Sequence, residues 1–163
     1  MVGPAERLAG AVTARGKKLC LAWLCINLAV IWGNSLLPGH ISGQISNWVH
    51  AIFRGLIPDG GIPGLSGRGL VRKTAHFLEF ASLGLVLSLL WGSFSGRKWP
   101  ALPCGAVVAC LDEGIQRFVP GRCGCVSDVL IDCAGVAFGI ALCYAGKKIH
   151  QQTKNKHFLE ETK

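Results

Sequence analysis

Apolar residues fall into four blocks along this chain, and each of the last three runs into a short polar cluster at one end. Leu19 to Gly39 carry no charge, and roughly 20 such residues cross the hydrocarbon core of a bilayer, so the first block predicts a transmembrane helix over about 19–37. A second span is predicted over about 71–94, its stretch from Ala81 to Gly96 uncharged. The third block is shorter than a membrane. Trp99 to Leu111 is 13 uncharged residues, about 20 Å of helix against a core of about 30 Å. It spans only by continuing through Asp112, Glu113 and Gln116 to about Val119, where Pro120 and Gly121 can end it. The fourth, about 126–146, likewise includes Asp128 and Asp132. Between the first two spans, Ile41, Ile45, Trp48, Val49, Ile52, Phe53, Leu56 and Ile57 recur at helical spacing, which predicts an amphipathic helix lying in the interface and ending at Pro58. The Gly/Pro-rich stretch 58–69 then reads as a flexible connector.

The fold class expected is therefore all-α integral membrane, with four transmembrane helices plus one extracytoplasmic interfacial amphipathic helix. A basic segment 1–18 precedes the membrane domain 19–146, and a basic, polar tail 147–163 follows it, read as disordered or a short fraying helix. Composition agrees. Half of the 163 residues are apolar, only 16% are charged, and the mean hydropathy of +0.41 excludes an ordinary soluble domain. No small-residue cleavage site follows the first apolar block, which favours an uncleaved anchor over a signal peptide.

Charge sets the orientation. With four spans, eleven Lys and Arg residues fall on the side of the two termini and six on the other, so both termini are expected in the cytoplasm. The net charge of +8 then follows from the positive-inside rule and anionic lipid, and no nucleic-acid partner is expected. Six of the eight cysteines lie in predicted spans; Cys123 and Cys125 form an isolated C-x-C, which is weak evidence for a metal.

The polar clusters carry the candidate chemistry. Lys73, His76, Glu79 and Phe80 follow three- and four-residue spacing; Asp112, Glu113 and Gln116 end the third span; Asp128, Asp132, Gly135 and Gly139 open the fourth. Chain topology brings all of these ends to one face of the membrane, whichever way the protein is inserted. Ionisable groups at that depth are costly, so each is a candidate functional residue. The plainer reading is that the charges pair and fix helix register, with Asp112 an exposed helix-end charge and Arg72 and Arg117 reaching to headgroups. The expected ligand-binding set is Lys73, His76, Glu79, Asp112, Glu113, Gln116, Arg122, Asp128 and Asp132. His76 and Glu113 are the candidates for acid–base chemistry. No metal or other cofactor is expected; were a cation held, Glu79, Glu113 and Asp128 are its candidate ligands. Four short spans without an inverted repeat do not suggest a transporter.

These residues resemble the VanZ-like family, small membrane proteins named for an accessory factor in glycopeptide resistance. The matching elements are NSLLPG (34–39), Ser42 and Ser46, KTAHFLEF (73–80), DEGIQRFVPGR (112–122) and SDVLIDCAG (127–135). Two positions depart from the family pattern: Phe80 stands where a tyrosine is usual, and Asp132 where an asparagine is usual. The resemblance implies a bacterial cytoplasmic-membrane protein of the cell envelope with a role in low-level teicoplanin resistance, and no known catalytic activity. The partners expected are membrane lipids, with lipid-linked cell-wall intermediates or a glycopeptide as candidate ligands and a homo-oligomer as an open alternative. The competing expectation is a membrane-embedded enzyme acting on a lipid substrate through Glu113 and His76, with or without metal assistance.

Overall fold

A computed structural model of the protein describes residues 13–53, 67–95 and 97–161. The expectations placed on Arg7, Arg54, Leu56, Ile57, Pro58, Lys163 and most of the 58–69 connector lie outside the described residues. Among the described residues five helices follow in order: α1 (Ala14–Ser35), α2 (Gly39–Ile52), α3 (Gly67–Phe94), α4 (Ala101–Gln116) and α5 (Val126–Glu161). Among the described residues there is no strand.

Local chemistry sets the ends. The Thr13 hydroxyl accepts the Gly16 N–H at 3.1 Å and caps α1, satisfying one of the donors a helix start leaves over. Pro38 stops its continuation and serves as the N-cap of α2. α2 ends at Ile52, with Phe53 as its cap, six residues short of the expected stop at Pro58. α4 ends at Gln116 rather than near Val119, because Phe118 and Val119 turn back to the Ile115 and Gln116 carbonyls. α5 runs without interruption to Glu161; the tail expected to be disordered or fraying continues the helix.

α1, α3 and α5 each hold a stretch long and apolar enough to cross a bilayer. α4 has 16 residues, about 24 Å, and falls short on length alone. Of the three apolar stretches only 11%, 39% and 28% of the residues are buried inside the protein, so most of their apolar surface faces outward. Leu19, Ile26 and Val30 on α1, Leu78 on α3 and Leu130 on α5 are all exposed. In water this surface far exceeds what a monomer leaves uncovered; in a bilayer it meets lipid.

α3 occupies the middle and packs against each of the other four helices, most extensively α5. Small residues allow the approach. A Cβ on Gly135 would stand 2.5 Å from the Phe77 carbonyl oxygen, and one on Gly139 or Gly84 would collide with the backbone of Ala81 or Val136. This is the small-residue contact that membrane helices use where no hydrophobic force drives them together. Phe80, Leu83, Val86 and Leu90 of α3 form the apolar core with Ile31, Ala109 and Val136. Trp23 Nε1 donates to Ser82 Oγ at 3.1 Å and ties α1 to α3.

α2 is amphipathic as expected, but with its polar face inward. Ser42, Ser46 and His50, one turn apart, are buried, while Ile45, Trp48, Ile52 and Phe53 are exposed. That arrangement suits a helix lying against the bundle with its apolar side toward lipid. At the opposite end Lys98 is buried, its Nζ donating to the Cys143 carbonyl at 3.4 Å and lying 4.1 Å from the centre of the Tyr144 ring.

Candidate functional site at the polar end of the bundle

The polar clusters meet at one end, and they meet in two layers. The upper layer lines a cavity of about 380 Å³ that includes Ser42, Ser46, Arg72, Lys73, Arg122 and Asp128. Arg72 Nη2 donates to Asp128 Oδ2 at 2.7 Å, and Lys73 Nζ to Oδ1 at 3.3 Å. One carboxylate thus serves two cations, both about one-third exposed to the cavity. Arg72, expected only to reach for headgroups, is part of this wall.

Arg122 is used differently from the sequence expectation. Its Nη2 and Nε donate to the Asn34 and Leu37 carbonyls at 2.5 and 3.1 Å, adding a cation to the Asn34 carbonyl, which also takes the Leu37 N–H at 3.2 Å, and clamping the C-terminal end of α1. The loop that carries it is latched by Gly39 N–H donating to the Pro120 carbonyl at 2.9 Å. Gly121 makes the turn at φ +72°, and a Cβ on Gly39 would run into the Gly121 carbonyl, so glycine is needed at both places. Two of the five guanidinium N–H donors are engaged, and the rest are available to the cavity. Burial and the neighbouring Arg72 cation pull the Arg122 guanidinium below its ordinary value. Two such cations on one cavity favour an anion between them.

The lower layer lies one helical turn further along α3 and α5. His76 Nδ1 approaches Asp132 Oδ1 at 3.3 Å without hydrogen-bond alignment. Ser35 Oγ donates to Asp112 Oδ1 at 2.5 Å, and Gln116 Nε2 donates to Asp112 Oδ2 at 3.0 Å and to Ser35 Oγ at 3.3 Å. Cys125 N–H donates to Glu113 Oε2 at 2.8 Å. Asp112 is therefore fully buried, not the exposed helix-end charge of the plainer reading. Glu79 turns toward α1, where it accepts from Asn34 Nδ2 at 3.3 Å. The trio considered for a cation, Glu79, Glu113 and Asp128, is thus divided: Glu79 pairs with Asn34 and Asp128 with Arg72 and Lys73. His76, Asp112, Glu113 and Asp132 are grouped instead, one donor atom from each lying within 4.8 Å of the others.

Asn34 and Ser35 were not among the expected site residues, although two adjacent small polar residues at the end of an uncharged span are a readable signal. Cys123 and Cys125 have their sulfurs 3.9 Å apart. The Cys125 thiol donates to the Cys123 sulfur, and this hydrogen bond raises the Cys125 thiol, which favours the thiol over the metal-binding thiolate.

An all-helical membrane protein with a polar chamber closed by α2 is the class these features define. The family model described as VanZ/LLP1 matches residues 19–147, and the chain belongs to the VanZ-like family. No curated protein and no solved structure matches it significantly.

Proposed function

We propose that this VanZ-like protein binds an anionic or lipid-linked envelope ligand at the polar end of its bundle, in the outer leaflet of a bacterial cytoplasmic membrane. α4, too short by itself, completes a four-span topology together with the turn that continues it through Val119, with both termini cytoplasmic, and the role served is low-level teicoplanin resistance. One observation carries the reading. The polar cavity adjoins a second of about 410 Å³, lined by apolar residues including Ile45, Val49, Phe53 and Leu78, and the two share Ser42, Ser46 and Arg72. A cationic chamber beside an apolar one fits an amphiphile, with phosphate at Arg72 and Lys73 and the chain along α2. Arg pairs with phosphate bidentately and Lys as a point charge.

Purified protein in nanodiscs containing phosphatidylglycerol and phosphatidylcholine is expected to retain phosphatidylglycerol selectively. The Arg72→Gln/Lys73→Gln variant is expected to lose that preference by about tenfold or more, the equivalent of one charge-assisted hydrogen bond. Arg97→Gln, at the opposite end, serves as the control. Equal retention by the double variant overturns the headgroup assignment. In a sensitive Gram-positive host at matched membrane levels, the wild type is expected to raise teicoplanin tolerance and the double variant to abolish the gain. No gain from the wild type removes the resistance role and leaves lipid binding standing.

A further inference from the structure

The lower layer is not needed to hold a phosphate, and its own geometry has a separate meaning. We propose that His76, Asp112, Glu113 and Asp132 bind a divalent first-row transition-metal ion. The four come from three helices, are 3%, 1%, 4% and 0% exposed, and bring one donor atom each within 4.8 Å of the others. Three carboxylates so close in a dry interior repel strongly unless protons or a cation intervene.

Proton sharing leaves a recognisable pattern, in which each protonated oxygen donates to a neighbour. That pattern is absent among the described residues here. Both oxygens of Asp132, both ring nitrogens of His76 and Oε1 of Glu113 are buried without a hydrogen-bond partner. Inside the quartet His76 Nδ1 and Asp132 Oδ1 stand 3.3 Å apart, out of hydrogen-bond alignment; donor atoms that gather without hydrogen-bonding one another are arranged as metal ligands are. The remaining atoms are held from outside. Ser35 and Gln116 fix Asp112, and the Cys125 N–H takes Oε2 of Glu113 while Oε1 stays open. Such outer contacts orient first-row metal ligands.

The dimensions fit after a small contraction. Ligands about 2.1 Å from a metal stand about 3.4 Å apart in a tetrahedron and up to about 4.2 Å across a larger polyhedron, so the 4.8 Å spread closes by about 0.6 Å onto the larger polyhedron, whereas a tetrahedron needs about 1.4 Å. One imidazole with three carboxylates suits zinc, manganese or iron, whereas calcium and magnesium take oxygen alone. A divalent charge would reduce three negative charges to one, with Asp128 already neutralised by Arg72 and Lys73. Access is from the cavity above, whose wall includes Cys125 beside Glu113.

The test measures metal, not lipid, and so stands apart from the binding reading above. Protein purified in detergent through a histidine-free tag is assayed for first-row metals by mass spectrometry. It is then stripped with chelator and titrated with Mn²⁺, following the loss of the free-ion electron paramagnetic resonance signal. One equivalent per chain is expected, weakened by about tenfold or more in Asp132→Asn and in His76→Gln, and unchanged in Cys123→Ser/Cys125→Ser. Absence of metal after purification together with no Mn²⁺ uptake by the wild type overturns the proposal, as does undiminished uptake by a folded Asp132→Asn variant. Should that variant fail to fold, Co²⁺ loaded into the wild type decides. A spectrum without thiolate charge transfer supports the His–carboxylate site, and one with it places the ion on cysteine and overturns the assignment.

Discussion

Replacing Gly139 with alanine is expected to destabilise the bundle by about 3 kcal/mol, whereas the same exchange at Gly114 is expected to stabilise it by about 0.5–1 kcal/mol. The substitution is identical, and the surroundings decide its sign. At Gly139 the added Cβ meets the Ala81 carbonyl and the Leu85 nitrogen, both backbone atoms of α3, which no rotamer change can move. α3 and α5 must separate, and they form the largest helix pair of the fold. Separation also pulls Asp128 and Asp132 away from Lys73 and His76, so packing and site are lost together. At Gly114 nothing lies within 4 Å of the added atom, and the helix simply gains a better helix former. Half-unfolding temperatures in one detergent, at one fixed scan rate, measure both changes. Shifts of the same sign would show that the approach of α3 to α5 does not set the stability.

That close approach was readable in the sequence, since Gly135 and Gly139 share a helix face with Asp128 and Asp132 at spacings of four, three and four. So were the apolar helices and the polar ends of the last three, because apolar runs and charge clusters are local properties. Partnerships were not local. Lys73, His76 and Glu79 look like one stripe, but two three-residue steps turn about 120° around a helix. Lys73 therefore reaches α5 while Glu79 reaches Asn34 on α1. Adjacent Asp112 and Glu113 are about 100° apart and diverge in the same way, one to Ser35 and the other to Cys125. The cation candidates suffered from this: grouping by charge chose Glu79 and Asp128, whereas helix rotation brings in His76, Asp112 and Asp132. α2 shows a different gap. Its periodicity was clear, but which face turns inward depends on the solvent, and with lipid outside the serines face the bundle. The role of Arg122 depends on the Gly39–Gly121 contact, between residues 82 positions apart, which no local pattern announces.

Arg122 and Arg72 consequently separate stability from binding. Arg122→Ala is expected to cost about 3–5 kcal/mol, because two charge-assisted hydrogen bonds at about 1.5–3 kcal/mol each are lost and the Leu37 carbonyl loses its side-chain partner, while the Asn34 carbonyl keeps the Leu37 N–H. Arg122→Lys is expected to recover less than half of that, since an ammonium lacks the planar fork that reaches two carbonyls at once. Arg72→Ala removes a partly exposed bridge to Asp128, which Lys73 still contacts, and is expected to cost no more than about 1 kcal/mol. Its effect on anionic lipid is expected to run the other way, with Arg72→Ala the more damaging of the two once folded protein is compared at equal amounts. Thermal unfolding and phosphatidylglycerol retention, measured on the same preparations, give the two orders. If Arg122→Ala melts like the wild type but releases lipid, Arg122 is a ligand contact rather than the clamp on α1. The reversed order would mean that the end of α1 holds its shape without it.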